Sequence, residues 1–371
     1  MKIVMFGHKR IPSREGGVEI VVEQLASRMA AMGHSVTCCN RGGHHVSGAE
    51  YDAEVGSQYR GVTLKKLPTL DKKGLAAVSS SFFGALYSGF SSADVVHIHA
   101  EGPAFMCWLP KLLGKKVVVT VHGLDWQREK WKQGFGAKYI RAGEKMAVRF
   151  ADEIIVLSRN VQQYFRDTYG RETVYIPNGI TQPESLPTER IREKFGLETD
   201  GYILFLGRLV PEKGIHYLIE AFKAVKTDKK LVIAGGVSDS DDYARSLYTA
   251  AAADERIQFA GFVQGRILEE LYSNAYLFVQ PSDVEGMPLT LLEAMSYGNC
   301  CVVSDIPECT EVVADKAAVF PRGDITALGQ CLQALCNDPA QVTKYKETAQ
   351  PYVCETYNWE DITEKTLELY R

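Results

Sequence analysis

Two glutamates, Glu285 and Glu293, lie in the stretch DVEGMPLTLLEAMSYGNCCVVSD, Asp283 to Asp305. The pattern predicts a turn, a helix over 288–297, a second turn and a buried strand. Pro288 suits the first helical position, where a missing N–H costs nothing and φ is already set. Leu289, Leu291, Leu292 and Met295 supply an apolar stripe. Gly298 suits the helix stop, and Cys300–Val303 the following strand. A helix rises about 1.5 Å per residue, so the two carboxylates are expected on the order of 10 Å apart. That is about the span of a nucleotide sugar. N–H groups at the helix start would face an anion such as a diphosphate. A surface helix with two solvated glutamates has the same spacing, so the rest of the chain must decide.

Positioning such groups requires a scaffold, and the chain reads as two α/β units. Strands are expected at 3–6, 36–39, 62–67, 95–98, 117–121 and 153–157. Helices are expected at about 18–32, 74–90, 103–113, 131–150 and 159–169. The stretch IPNGITQPESLPTER (176–190) has no periodicity and three prolines, and reads as a linker. A second alternation follows, with strands at 202–206, 231–234, 257–259, 276–279 and 300–303, and helices close the chain. Alternation of this kind implies parallel sheets with helices on both faces. Ligands of such sheets bind beyond the carboxyl ends of the strands. Two such units facing each other would make a cleft.

Several strand-end loops carry polar groups. Glu15-Gly16-Gly17 precedes the first long helix, and paired glycines let backbone approach a phosphate, although a plain tight turn explains them equally. His122-Gly123 follows a strand and offers a binding or acid/base group, or merely a strand cap. Gly207-Arg208 follows another strand, with Lys213-Gly214 beyond it. Two cations there suit a diphosphate, although surface cations are also simply solvated.

Composition sets limits. The chain has 371 residues, 46% hydrophobic and 24% charged, as expected of a soluble globular protein with two cores. No apolar run reaches membrane-spanning length, and the start lacks a signal-peptide pattern, so a cytoplasmic protein is expected. The nine cysteines form no C-x-x-C pair and read as reduced thiols. His97 and His99 share one face of a strand, but no neighbouring carboxylate or cysteine completes a metal set, and no metal is expected. Charge is uneven: residues 1–175 hold 24 Lys+Arg against 16 Asp+Glu, net +8, and residues 176–371 hold 18 against 30, net −12. Different partners for the two halves are therefore expected. In the N-terminal half Lys65, Lys66, Lys72 and Lys73 lie close together. Lys138, Arg141, Lys145 and Arg149 share one face of the helix 131–150, beside Phe135, Tyr139, Met146 and Phe150, with Trp126 and Trp131 before it. A basic amphipathic helix of this kind is a candidate for an anionic membrane surface. An ordinary solvated helix face has the same pattern.

With these residues in view, the chain resembles the retaining glycosyltransferases of family 4, whose fold, called GT-B, pairs two Rossmann-like domains across a cleft. GRLVPEKG (207–214), PSDVEGMPLTLLEAMSYG (281–298), DVVHIHAEGP (94–103), VHG (121–123) and IPNGI (176–180) carry the resemblance. IPSREGGVEIVVEQLASRMA resembles rhamnosyltransferase-like members that build bacterial surface polysaccharides.

The resemblance implies an acceptor-binding domain at 1–177, rejoined by a last helix at about 358–371, and a donor-binding domain at 178–357. It implies that Arg208 and Lys213 bind the donor diphosphate beside Gly207, that Glu293 holds the ribose, and that Glu285 holds the donor sugar. Backbone at Gly286, Met287, Pro288 and Leu289 would assist; Pro288 brings no N–H. Gly16 and Gly17 would close over the phosphates, His122 would line the sugar pocket, and the base would lie near Phe262 and Val263. The nucleotide sugar, most readily a UDP- or dTDP-sugar, is a substrate, and no cofactor or metal is implied. The acceptor would be a glycan or a polyprenyl-linked glycan, and no nucleic acid partner is expected. An epimerase-like enzyme and a non-catalytic sugar-nucleotide-binding protein are the alternatives; the Glu285–Glu293 pair disfavours the first.

Overall fold

A computed structural model describes residues 1–14, 16–43, 56–70, 72, 74–128, 135–237 and 241–371. Glu15, Lys73, Trp131 and the side chain of Phe135 lie outside the described residues. The chain divides into two compact units, Met1–Gly179 with Trp359–Arg371, and Ile180–Asn358.

The first unit runs β1 (Lys2–Phe6), α1 (Gly17–Ala31), β2 (Ser35–Arg41), β3 (Gln58–Tyr59), β4 (Val62–Leu67), α2 (Leu75–Phe90), β5 (Val95–His99), α3 (Glu101–Ala104), α4 (Trp108–Leu112), β6 (Lys116–Val121), α5 (Phe135–Phe150), β7 (Glu153–Val156), α6 (Arg159–Tyr169) and β8 (Val174–Tyr175). Its sheet has the order β3-β4-β2-β1-β5-β6-β7-β8, and only the β3–β4 pairing is antiparallel. Runs such as VVHIH in β5 are buried at every position, as parallel strands covered on both faces require.

The second unit runs α7 (Arg190–Phe195), β9 (Tyr202–Leu206), α8 (Ile215–Ala224), β10 (Lys230–Ala234), α9 (Asp241–Ala251), β11 (Ile257–Gly261), α10 (Arg266–Asn274), β12 (Leu277–Gln280), α11 (Leu289–Ser296), β13 (Cys300–Ser304), α12 (Pro307–Val313), β14 (Ala318–Phe320), α13 (Ile325–Asn337) and α14 (Pro339–Thr356). Its parallel sheet has the order β11-β10-β9-β12-β13-β14. The last helix, α15 (Trp359–Glu368), belongs to the first unit and packs on α1.

Three sequence expectations need correction. The helix expected at 103–113 is two short helices, α3 and α4. Pro110 has no N–H to give the Met106 carbonyl, which accepts from Leu109 instead at 3.2 Å. Pro288 is the N-cap of α11, not its first helical residue: its ψ of 105° is extended, and its carbonyl accepts from Leu291 and Leu292. Helices do not close the chain alone, because β14 intervenes. That strand has three residues, with Val319 exposed at the sheet edge, too short for a period to show. Gly298 ends α11 with φ of +77°, as its position suggested. All nine cysteines are free thiols, six of them buried.

Candidate functional site

The parallel strands of each sheet reverse their order once, and most candidate residues lie near those two points, whereas Phe262 and Val263 follow the edge strand β11. In the second unit the reversal lies between β9 and β12, whose carboxyl ends are adjacent. Gly207 and Arg208 follow β9, and a 3₁₀ turn, Pro211–Lys213, sets Lys213. Gly214 then turns left-handed at φ +67°, and a Cβ there would collide with the Pro281 carbonyl. This close approach brings Lys213 to the loop that leaves β12, and the Asp283 N–H donates to the Glu212 carbonyl at 2.9 Å.

Glu285 is the centre of that loop. Its Oε1 accepts from Lys213 Nζ at 2.6 Å, Gln280 Nε2 at 2.6 Å and Ser282 Oγ at 2.7 Å. The side chains of Lys213 and Glu285 are only 15% and 8% exposed, so the pair is largely screened from water. Thr290 Oγ1, in the first turn of α11, donates to Gln280 Oε1 at 3.1 Å and steers the amide toward the carboxylate. Gly286, Met287 and Pro288, which lead into α11, and Leu289, which begins it, are buried.

Glu293 is half-buried on α11, and Tyr272 OH donates to its Oε2 at 3.0 Å. Tyr272 stacks on Tyr297 with ring centroids 5.4 Å apart, which fixes the donor. Burial, and then the Glu293 carboxylate, push the Tyr272 hydroxyl well above its ordinary range, so it stays a donor. Phe262 and Val263 follow β11, the edge strand of the sheet, with Val263 buried. The strand ends are stitched together: Gly207 N–H donates to Ala234, and Gly235 N–H to Gly261.

In the first unit the reversal lies between β1 and β5. His8 follows β1, His99 ends β5, and His122 follows β6. His99 Nδ1 lies 3.0 Å from His122 Nε2, so one imidazole donates and the other accepts. His97, behind them, contacts Tyr370 OH at 2.5 Å and Thr120 Oγ1 at 2.7 Å. His8 Nε2 is 3.1 Å from Asn40 Oδ1. Gly16 caps α1 and Gly17 begins it, and Glu19 in that first turn accepts from the Lys9 N–H at 2.8 Å. The loop after His122 is tied down as well. Glu101 Oε2 accepts from the Asp125 N–H at 2.8 Å, while Glu144 accepts from Trp126 Nε1, Tyr164 OH and Tyr169 OH. Burial, then the neighbouring Glu144 carboxyl, hold Glu101 well above the usual carboxylate range.

Burial also lowers the histidines: His8 to about 4, His97 and His122 to about 3, and His99 well below its ordinary value. His122 is therefore neutral near pH 7 and serves as a hydrogen-bonding group. Each of these imidazoles excludes a proton in the fold that the unfolded chain binds below about pH 6.5. Their contribution to stability is complete above that pH and is lost progressively as pH falls through about 4 for His8 and about 3 for His97 and His122. The melting temperature is expected to drop over this window, and His97→Gln to make the drop shallower. Melts from pH 7.5 to 4 check this; an unchanged slope in the variant would contradict it.

His8, Gln280, Ser282, Thr290 and Tyr272 were not singled out from sequence. His8 and Gln280 stand at strand ends, the signal that found His122 and Arg208. Tyr272 and Thr290 show themselves only through packing.

Comparison with known proteins identifies the family. The family described as Glycosyltransferase Family 4 matches residues 15–182, and that described as Glycosyl transferases group 1 matches residues 187–352. The chain is 26% identical to the alpha-maltose-1-phosphate synthase of Mycolicibacterium smegmatis, over all of this chain and 99% of that one. Its structure is similar to sucrose-phosphate synthase from Thermosynechococcus elongatus, with TM-score 0.85 and 22% identity over 100% and 98% of the two chains. It is also similar to Anabaena HepE in complex with UDP-glucose, with TM-score 0.80 and 18% identity over 99% and 98%. Two parallel α/β units, each with its polar residues at the point where strand order reverses, and two matching family domains lead to one assignment: the chain is a glycosyltransferase of family 4 with the GT-B fold.

Proposed function

We propose that this glycosyltransferase moves a sugar from a UDP- or dTDP-sugar to a glycan or polyprenyl-linked acceptor, with retention of configuration, in surface polysaccharide synthesis. The observation that carries the reading is the Lys213–Glu285 pair, held by Gln280 and Ser282 beside the Arg208 loop. Departure of a nucleoside diphosphate builds negative charge at the β-phosphate. Arg208 and Lys213 are the cations to meet that charge, in the place of a divalent ion, and preorganised charge of this kind lowers the barrier. Glu285 accepts from the donor sugar's hydroxyls and Glu293 from the ribose. Gly207, Phe262 and Val263 line the nucleotide, and Gly286, Met287, Pro288 and Leu289 shape the sugar side. In the first unit, Gly16, Gly17 and neutral His122 are the groups assigned to contact with sugar and phosphate. The leaving phosphate takes the acceptor proton on the same face. The enzyme works in the cytoplasm at the inner face of the membrane. The support for that location is the basic face of α5, on which Lys138, Arg141, Lys145 and Arg149 are all exposed.

A thermal-shift panel of UDP-, dTDP- and GDP-sugars tests the donor, because a ligand of the folded state raises the melting temperature. One sugar nucleotide is expected to raise it, and to be consumed only when acceptor is added. Retained turnover in excess EDTA checks metal independence. No shift with any nucleotide, or consumption without acceptor, would overturn the reading.

A further inference from the structure

Helix α2, LAAVSSSFFGALYSGF, contains no charged residue, and its polarity is reversed. Its buried positions are Ser80, Ser81, Gly84, Ala85, Ser88 and Gly89. The serine hydroxyls are satisfied inside the helix, by the carbonyls of Ala77 and Ala85. The small residues admit close packing: a Cβ on Gly84 would stand 2.9 Å from the Phe6 ring. Phe83 and Tyr87 are half-buried against the core, but four other large apolar side chains point outward. Leu75, Phe82, Leu86 and Phe90 are exposed, and their spacing puts them in one stripe. Phe90 is 74% exposed, and Leu112 on the adjoining α4 is 70% exposed. Among the described residues, seven of twelve exposed large hydrophobics lie between Leu70 and Leu113. Soluble surface helices have the opposite arrangement, and such a patch marks an interaction site.

The surroundings identify what it meets. A shallow pocket of about 390 Å³ has Leu86, Tyr87 and Phe90 on one side and Lys65 and Lys66 on the other. Both lysines are exposed, as is Lys72, and Lys65 Nζ sits 5.7 Å above the Tyr87 ring. Asp94, exposed nearby, is engaged by the Lys2 N–H at 2.7 Å. Apolar rings beside lysines match a layer whose anionic headgroups cover hydrocarbon. A second copy of the chain fits less well, because an isologous contact sets a patch against itself and brings the lysines together. With 16 residues, α2 is shorter than the ~20 needed to span a bilayer. No described helix is long and apolar enough to cross one.

We infer that α2 and α4, with Lys65 and Lys66, form a docking surface for an anionic phospholipid bilayer. Phe82, Leu86, Phe90 and Leu112 enter the acyl boundary, and the lysines meet headgroup phosphates. Helix α5 adds long-range attraction, but its exposed residues among those described include no large hydrophobic. The inference rests on the membrane-side acceptor proposed above and leaves donor binding independent.

Sedimentation of the full chain with phosphatidylcholine vesicles, with and without phosphatidylglycerol, tests it. The wild type is expected to sediment with the anionic vesicles. Phe82→Gln, Leu86→Gln and Phe90→Gln together should lower the bound fraction by about tenfold or more, as loss of buried apolar area requires. Lys65→Gln with Lys66→Gln should weaken binding at low salt only, since salt screens exposed charge. Changing Lys138, Arg141, Lys145 and Arg149 to Gln should remove salt-sensitive attraction and leave Phe90 insertion intact. Phe90→Trp should retain binding, with emission quenched by brominated acyl chains. An unquenched tryptophan at 90 would overturn the inference, as would a triple variant that binds like wild type. So would a wild type that ignores anionic vesicles at low salt, or a wild-type dimer made monomeric by the triple change. Thermal shifts with UDP and dTDP report the fold and donor site of every variant. If those shifts fail in wild type while vesicle binding persists, the donor reading falls and the docking surface stands.

Discussion

Replacing Arg208 or Lys213 by alanine is expected to lower turnover by about 10²-fold or more, close to 2.7 kcal/mol of transition-state stabilisation. Both cations follow β9 at the reversal point of the second sheet, where a diphosphate leaving group would gather charge. Lys213 is largely buried with Glu285, and removing one partner of such a pair leaves a charge exposed to a poor solvent. Here Gln280 and Ser282 still donate to Glu285, which limits the loss of stability. Melting temperatures measured beside rates separate the two effects. Near-normal turnover in a folded Arg208→Ala or Lys213→Ala protein would remove that residue from the mechanism.

The two glutamates are expected to fail in different ways. Glu293→Ala should weaken binding of the free nucleoside diphosphate, because Glu293, oriented on α11 by Tyr272, is the proposed acceptor for ribose hydroxyls. Glu285→Ala should cut turnover by about 10²-fold while affecting nucleoside diphosphate binding less. The reason is its partner: without the carboxylate, Lys213 loses its 2.6 Å contact and is released to the phosphates, so affinity for the leaving group is retained. Calorimetric titration of the nucleoside diphosphate into both variants, set against their rates, checks the split. Equal loss of affinity in both would contradict the division of roles.

Much of this arrangement was legible in the sequence because it is local. Buried parallel strands read as runs of β-branched residues, and the helices between them as apolar stripes, so two α/β units followed from pattern alone. Strand-end positions then nominated Arg208, Lys213 and His122, and the spacing within Asp283–Asp305 nominated Glu285 and Glu293. The pairings depended on strand order, which local patterns do not encode. That β9 lies beside β12 is what joins Lys213 to Glu285, 72 positions apart. That β5 lies beside β6 is what joins His99 to His122 and keeps both neutral by burial. The direction of α2 was likewise beyond its sequence. An apolar, serine-rich helix shows no polar face by which to orient it, and only close packing of Gly84 and Ala85 on the sheet sent Phe82 and Phe90 outward while Phe83 stayed against the core. Residue types and their spacing determined which groups were available for chemistry; tertiary contact decided which touch, because burial and hydrogen bonding arise only between elements that strand order makes neighbours.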